Sequence, residues 1–355
     1  MSDSESNLSV MEPKAESGST RSRGEAFSFG IIGDTQYVDA DNGATHDGSV
    51  VRRYRQSLWA LKQACLSFSE HEVSCCILLG DILDGKCASM GSAERCLQQI
   101  FDITKLSNCA WHYCIGNHDL MCFTREELNR KFTPKTIRSV RAPLQLHYDF
   151  SPHKGYRFIF LDGYEVSTLN ASSNKNAAVA QALLLSKNPN LSIKDGSWFK
   201  GLSPENCRYV PFNGGLSDEQ LVWFDKALKS SSGCNERCFV FSHMPCYPSC
   251  CRSNGLMWSG DEVMRIMHKY PGTVAAFIAG HDHDGGYALD GAGIHHIVPP
   301  SPLECDVDEL SHGHVTVHDA TFTSPPYFEL HWTGKVPKST LRSPWPTIMD
   351  FAITP

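Results

Sequence analysis

Short apolar runs, each closed by a glycine or serine and then by a polar side chain, recur along this chain. Residues 27–32 (FSFGII), 74–79 (SCCILL), 111–115 (WHYCI), 238–241 (CFVF) and 274–279 (VAAFIA) have this form. Runs this short and this apolar read as strands buried on both faces of a sheet. Between them the spacing becomes helical. Leu58, Leu61, Ala64 and Cys65 line one face of a helix expected over 51–68, and a second is expected over 92–106. Thr124-Arg125-Glu126-Glu127 and Ser217-Asp218-Glu219-Gln220 are capping boxes that open further helices, and Ser259 is expected to cap another. Residues 146–150 and 156–161 predict a hairpin joined through 151–155, and 294–298, 314–318 and 327–332 read as a closing meander.

Strands alternating with helices early, then strands dominating, predict an α/β sandwich of two packed sheets with helices outside. Residues 1–26, rich in Ser, Glu and Gly, predict a disordered tail, and 27–355 a single domain. Within that domain, 165–212 has little periodicity apart from 176–185 and reads as an insertion over the site.

Composition narrows the possibilities. A chain of 355 residues with 41% hydrophobic and 20% charged residues is an ordinary globular protein. A net charge of -7 argues against a broad nucleic-acid surface. Fifteen cysteines are too sparse for a disulfide scaffold. No basic segment followed by an apolar run opens the chain, and no run is long enough to cross a bilayer. A cytoplasmic monomer that binds neither nucleic acid nor membrane is expected.

The strand ends carry the chemistry. They present Asp34 with Gln36, Asp81 with Asp84, Asn117 with His118, His243, and His281 with His283. Side chains two apart in extended chain point the same way, so each spaced pair can face one point. A single such aspartate is commonly a turn residue or helix cap; the recurrence is what points to a site. Oxygen and imidazole donors without a thiolate suit Mn, Fe or Zn in an open catalytic site. Asp34, Gln36, Asp81, Asn117, His243, His281 and His283 are more donors than one ion would use. Two ions sharing a carboxylate, roughly 3.5–4 Å apart, fit better, with Asp81 on the central strand as the bridge. Cys246, Cys250 and Cys251 lack a second pair at zinc-ligand spacing and are expected to line the pocket as free thiols. His295, His296, His312 and His314 read as structural or supporting.

The ordered set GDTQ (33–36), GDILD (80–84), GNHD (116–119), His243 and GHDH (280–283) resembles the calcineurin-like metallophosphoesterases. That resemblance implies a four-layer α/β/β/α sandwich with a dinuclear site at the strand ends. It implies one ion held by Asp34, Asp81 and His283, and another by Asp81, Asn117, His243 and His281. It also implies that His118 protonates the departing oxygen, oriented by Asp84. Gln36 stands where the family usually has histidine; its amide oxygen favours harder ions, so Mn2+ is expected ahead of Mg2+, Fe or Zn2+. Asp-x-Gln followed by an aromatic, here Tyr37, is similar to the manganese-dependent ADP-ribose/CDP-alcohol diphosphatases. This implies a nucleotide diphosphate substrate, ADP-ribose or CDP-choline, CDP-ethanolamine or CDP-glycerol, cleaved at the pyrophosphate to AMP or CMP. The alternatives are a phosphomonoesterase or cyclic-nucleotide phosphodiesterase of the same family, or a non-catalytic scaffold with its fold. Arg52 and Arg53 are candidates for gripping phosphate. Phe212 is the candidate for stacking on a base, with Asn213 and the backbone at Gly214 and Gly215 close by, and 250–255 as the other wall.

Overall fold

The structure, a computed structural model, describes residues 25–132, 145–192, 197–319, 326–337, 345 and 348–350. The expected tail, 1–26, lies almost wholly outside the described residues. The strands are β1 (Glu25–Ile32), β2 (Gly43–Ala44), β3 (Val51–Arg52), β4 (Cys75–Leu78), β5 (Ala110–Tyr113), β6 (Tyr148–His153), β7 (Tyr156–Phe160) and β8 (Val166–Ser167). After them come β9 (Gly214–Gly215), β10 (Arg237–Ser242), β11 (Val274–Ala279), β12 (Gly286–Leu289), β13 (His295–Val298), β14 (Ser311–His318), β15 (Tyr327–Gly334) and β16 (Ile348–Asp350).

They form two mixed six-stranded sheets, ordered β16-β15-β14-β1-β4-β5 and β12-β13-β11-β10-β7-β6. Helices Tyr54–Glu70 and Ala93–Thr104 cover the first sheet, and Asp218–Gly233 and Gly260–His268 cover the second. The alternation within β1 shows why the layers form. Phe27, Phe29 and Ile31 enter the core between the sheets. Ile32 faces outward beneath Leu61 and Phe68, and Phe68 packs directly over Gly30. Phe29 meets Phe158 and Phe239 edge to face, with ring centres 4.9 Å and 5.3 Å apart. Fully burying one such ring is worth about 1.5–3 kcal/mol, which makes this aromatic layer the main link between the sheets. This is the four-layer sandwich. Among the described residues no helix is long and apolar enough to cross a membrane.

Several local expectations change. The first helix begins at Tyr54 rather than 51, because Val51–Arg52 pairs with Gly43–Ala44 and the Arg53 amide bonds to Leu303 O at 2.9 Å. Ser259 stands at the N-cap of its helix, but its side chain does not cap; the hydroxyl accepts from the Leu216 amide at 2.8 Å instead. The hairpin turns more tightly than expected, at 154–155, with Gly155 at φ 84. The closing strands are not a meander. β13 lies parallel to β11 in the second sheet, whereas β14 crosses to pair with β1 in the first. Pro299, Pro300 and Pro302 lack the amide hydrogens a continued strand needs, so the chain leaves one sheet there.

Candidate active site

The loops after β1 and β4 run on together past the sheet. Gln36 N donates to Asp81 O at 2.7 Å, Tyr37 N to Ile82 O at 3.1 Å, and Asp84 N to Tyr37 O at 3.0 Å. This pairing brings the Asp34 and Asp81 loops side by side. Gln36, Asp81 and His281 hold left-handed backbone, at φ 38, 48 and 68. Such φ values cost non-glycine residues energy and persist where the surroundings impose them. The glycines before the polar residues make room for them. A Cβ on Gly280 would lie 2.5 Å from Asp34 Oδ2, and one on Gly116 would collide with Asp81 Oδ1.

Asp34, Asp81, Asn117 and His243 are buried, and Asp81, His243 and His281 offer donor atoms within 4.8 Å of one another. His283 Nε2 and His243 Nδ1 each lie 3.8 Å from Asp34 Oδ1, while His243 Nε2 lies 3.6 Å from Asp81 Oδ2. Gln36 Nε2 donates to Asp81 Oδ2 at 2.7 Å, leaving its buried Oε1 with no hydrogen-bond partner among the described residues.

Outer partners decide what each imidazole offers. His243 Nδ1 donates to Leu79 O at 2.8 Å, His281 Nε2 to Asn213 Oδ1 at 2.8 Å, and His283 Nδ1 to Glu304 Oε1 at 2.7 Å. In each ring the opposite nitrogen is therefore a bare lone pair turned inward. As a result His243 Nε2 and His281 Nδ1 face each other at 3.1 Å with both protons committed elsewhere. Two lone pairs that close repel unless a cation lies by them. The donor set, with an orphaned amide oxygen beside it, fits metal ions.

His118 is wired the other way. Its Nδ1 accepts from the Gly85 amide at 2.9 Å, so the proton sits on Nε2, 4.0 Å from Asp81 Oδ2. That makes it a donor rather than a ligand.

Charge follows the same pattern. Burial pushes Asp34 upward. For Asp81 burial is outweighed by His243, His118 and His281, which hold it at about 2. Burial and then the neighbouring His243 push His281 well down, into the neutral ligating form. At Glu304 burial is outweighed by the His283 bond and Arg52, holding it at about 2.

The site opens into a cleft of about 650 Å³ lined by Gln36, Arg52, Asn117, His118, Phe212 and His283 among others. Not every expected contact is there. Asp84 Oδ2 stands 3.7 Å from His118 Nδ1, whose lone pair already accepts from Gly85; its Oδ1 receives the Lys86 amide at 2.9 Å. Asp84 shapes the turn that carries Gly85, and the Gly85 amide orients His118. Arg52 lines the cleft, with Nε 3.2 Å from Glu304 Oε1. Arg53 points away, to Cys305 O at 2.7 Å and Asp306. Asn213 is fully buried, with its amide nitrogen bonded to Arg208, Asn254 and Leu256 carbonyls. It holds His281 and has no face left for a substrate. Gly214 pairs with Ser167 in a buried ribbon, next to Gly215. Cys246, Cys250 and Cys251 are buried off the cleft; the thiols of Cys250 and Cys251 bond to Tyr247 O, and that of Cys246 lies against Met264.

Residues outside the expected set complete the site. Glu304 braces His283, and Tyr164 donates to Asn117 Oδ1 at 3.3 Å. Asp119 gathers the amides of Ile82, Leu83 and Gly116. Arg252, clamped to Asp282 at 2.9 Å, lines the cleft with Phe199 and Asn254. Asp119 was visible inside GNHD, and Arg252 and Asn254 fall in the stretch 250–255 expected as a wall, but Glu304 and Tyr164 sit in stretches with no distinguishing pattern.

A family model described as calcineurin-like phosphoesterase matches residues 27–285. The manganese-dependent ADP-ribose/CDP-alcohol diphosphatase of Arabidopsis thaliana is 36% identical over 298 residues, covering 82% of this chain and 91% of that protein. The protein of the same name from Homo sapiens is 32% identical over 323 residues, covering 88% and 91%. A dimetal phosphatase from Danio rerio superposes with a TM-score of 0.81 at 27% identity, covering 92% of this chain and 100% of that one.

Proposed function

The chain belongs to the calcineurin-like phosphoesterase family, and from that premise we propose that it is a manganese-dependent diphosphatase acting on nucleoside diphosphates esterified to a sugar or alcohol. Its substrates are ADP-ribose and CDP-alcohols, the class named for relatives 31–36% identical over most of this chain. The observation that carries the metal-dependent reading is the pair of inward lone pairs on His243 and His281, 3.1 Å apart beside two buried aspartates.

In this reading Asp34, Asp81 and His283 hold one ion, and Asp81, Asn117, His243 and His281 the other. Gln36 sits beside the pair with an oxygen to offer. When bound, two divalent ions neutralise phosphoryl charge and make water acidic enough to act as nucleophile at neutral pH. This chain's own groups do the rest. His118, held through Nδ1 by the Gly85 amide, presents Nε2–H to the oxygen between the two phosphorus atoms. As water oxygen bonds to one phosphorus, its proton passing to solvent, and the anhydride bond breaks, that N–H donates a hydrogen bond to the departing phosphate oxygen and stabilises its growing charge. Arg52 and Arg252 lie along the cleft within reach of the second phosphate, and Phe212 and Phe199 offer faces for the base. The products are AMP or CMP and a phosphorylated alcohol or ribose 5-phosphate.

The test is direct. Purified protein with Mn2+ and ADP-ribose should yield AMP and ribose 5-phosphate in equal amounts, and CDP-choline should yield CMP. Release of inorganic phosphate from monoesters, with neither diphosphate cleaved, would overturn this reading and favour a phosphomonoesterase.

A further inference from the structure

A second cluster of imidazoles lies on the outer face of the first sheet. His314 stands opposite His331 across the β14–β15 pairing, and His312 opposite Thr333. Alternation places His312 and His314 on one face of β14, and His71 reaches that face from just beyond helix Tyr54–Glu70. The rings of His71 and His314 are 4.3 Å apart, and those of His314 and His331 are 4.7 Å apart. With Ser67, His312 and Glu329 they line a cleft of about 640 Å³. Glu329 Oε2 is 3.3 Å from His331 Nε2 and 3.1 Å from His318 Nε2.

The telling residue is His312. It is 2% exposed, and neither of its ring nitrogens has a partner among the described residues. Leaving such groups unpaired in the interior is costly, and an apolar side chain would fill the space against Phe68 without that cost. An unpaired imidazole beside three others has another use. Burial first, then the neighbouring His71, pushes His312 down to about 4, which keeps it in the neutral form that ligates metals. His71 Nδ1 is committed to Ser67 O at 2.8 Å, which frees Nε2.

We propose that His71, His314 and His331, with His312 as a fourth donor from below and Glu329 orienting His331, form a mononuclear site for a late first-row divalent ion such as zinc. All-imidazole sets suit that class, and ligating histidines are commonly braced by a carboxylate. In the structure His314 and His331 stack and His71 tilts against His314, so the rings do not converge. His71 and His331 are exposed, so their rings reorient at the surface, against His314 alone among the rings, to meet a common ion. The ion would tie the end of a helix to the β14–β15 hairpin, on a different face from the dinuclear centre.

The experiment uses the full-length protein, saturated with Mn2+ and then dialysed against Zn2+, with elemental analysis of both metals. The wild type should carry one more equivalent of zinc than His71→Ala/His331→Ala, whatever exchange occurs at the dinuclear centre common to both. Glu329→Gln should keep the stoichiometry but bind that zinc about 10–100-fold more weakly. In Co2+-loaded samples, one set of visible bands should vanish in the double variant. Circular dichroism checks the fold; should the double variant fail it, His331→Ala alone carries the same comparison. Equal zinc content in wild type and variant would overturn the proposal.

Discussion

Glu304→Gln separates the dinuclear reading from a merely polar cleft. The glutamate holds His283 Nδ1 at 2.7 Å and Arg52 Nε at 3.2 Å, and its side chain is 5% exposed. Held at about 2, it is charged throughout the working range, so the substitution removes a full charge at neutral pH. At 2.7 Å and an effective dielectric of 20, that charge would attract a fully positive imidazole by about 6 kcal/mol. Coordination places only part of a charge on the ring, and a glutamine oxygen still accepts the Nδ1 proton. What remains is the usual effect of such a partner, about 10–100-fold in metal affinity, or about 1.4–2.8 kcal/mol. The assay follows free Mn2+ by electron paramagnetic resonance, alongside the Mn2+ dependence of ADP-ribose hydrolysis. One class of site should weaken by that factor, with kcat largely restored at saturating Mn2+. An unchanged Mn2+ titration, or a loss of kcat that no amount of Mn2+ repairs, would refute the assignment of His283 as a ligand braced by Glu304.

Three further outcomes follow from the same coordinates. His118→Ala should lower kcat on CDP-choline by about 10²–10³-fold and lose far less on a nitrophenyl phosphodiester, whose leaving group needs no such hydrogen bond; loss of bound Mn2+ would instead make His118 a ligand. Gly280→Ala puts a methyl group 2.5 Å from Asp34 Oδ2 and 3.1 Å from Leu79 O, so metal-free urea unfolding should show a loss of about 1–3 kcal/mol, and an unmoved midpoint would refute the close approach. Asp290 is lifted by burial but held well below the usual carboxylate range by His296 and His268, its partners at 3.1 Å and 2.9 Å. A depressed folded pKa means stability that is complete above the ordinary value of 3.8 and lost as pH falls through the folded one. Asp290→Asn should therefore cost about 1.5–3 kcal/mol at pH 7, with the gap closing in acid; a gap independent of pH would refute the sign.

The layers and the gathering of polar residues at the strand ends were legible because each has a local signature. A buried strand must be apolar along its length, as Cys75–Leu78 and Val274–Ala279 are, and a ligand at its end must follow a residue small enough to let it in. Gly280 before His281 is such a residue. The swap of sheets between β13 and β14 was not legible in the same way. Both strands mix histidine with β-branched residues in a way that assigns them to neither sheet, and only the prolines between them hint at a break. Nor could the chain alone show that Arg53 turns to the backbone at Cys305, or that Asn213 spends its amide on three carbonyls. Composition placed these residues near the site. Hydrogen bonds made at long separation decided which way they face.

That separation explains how one kind of side chain presents a lone pair at some positions of this cleft and an N–H at another. His118, His243, His281 and His283 are chemically identical, and the side chain alone does not say which nitrogen of each ring faces the cleft. The difference comes from what touches the outer nitrogen. A carbonyl, an amide oxygen or a carboxylate there takes the proton outward and leaves an inward lone pair, as Leu79, Asn213 and Glu304 do. A backbone amide there keeps the proton inward, as Gly85 does for His118. The Leu79 carbonyl meets His243 only once the two sheets are assembled, whereas Gly85 meets His118 between loops of neighbouring strands in the first sheet. The fold is thus what turns three lone pairs and one N–H toward the same cleft. A variant that exchanges the outer partner, leaving the histidine untouched, should change the role without changing the residue.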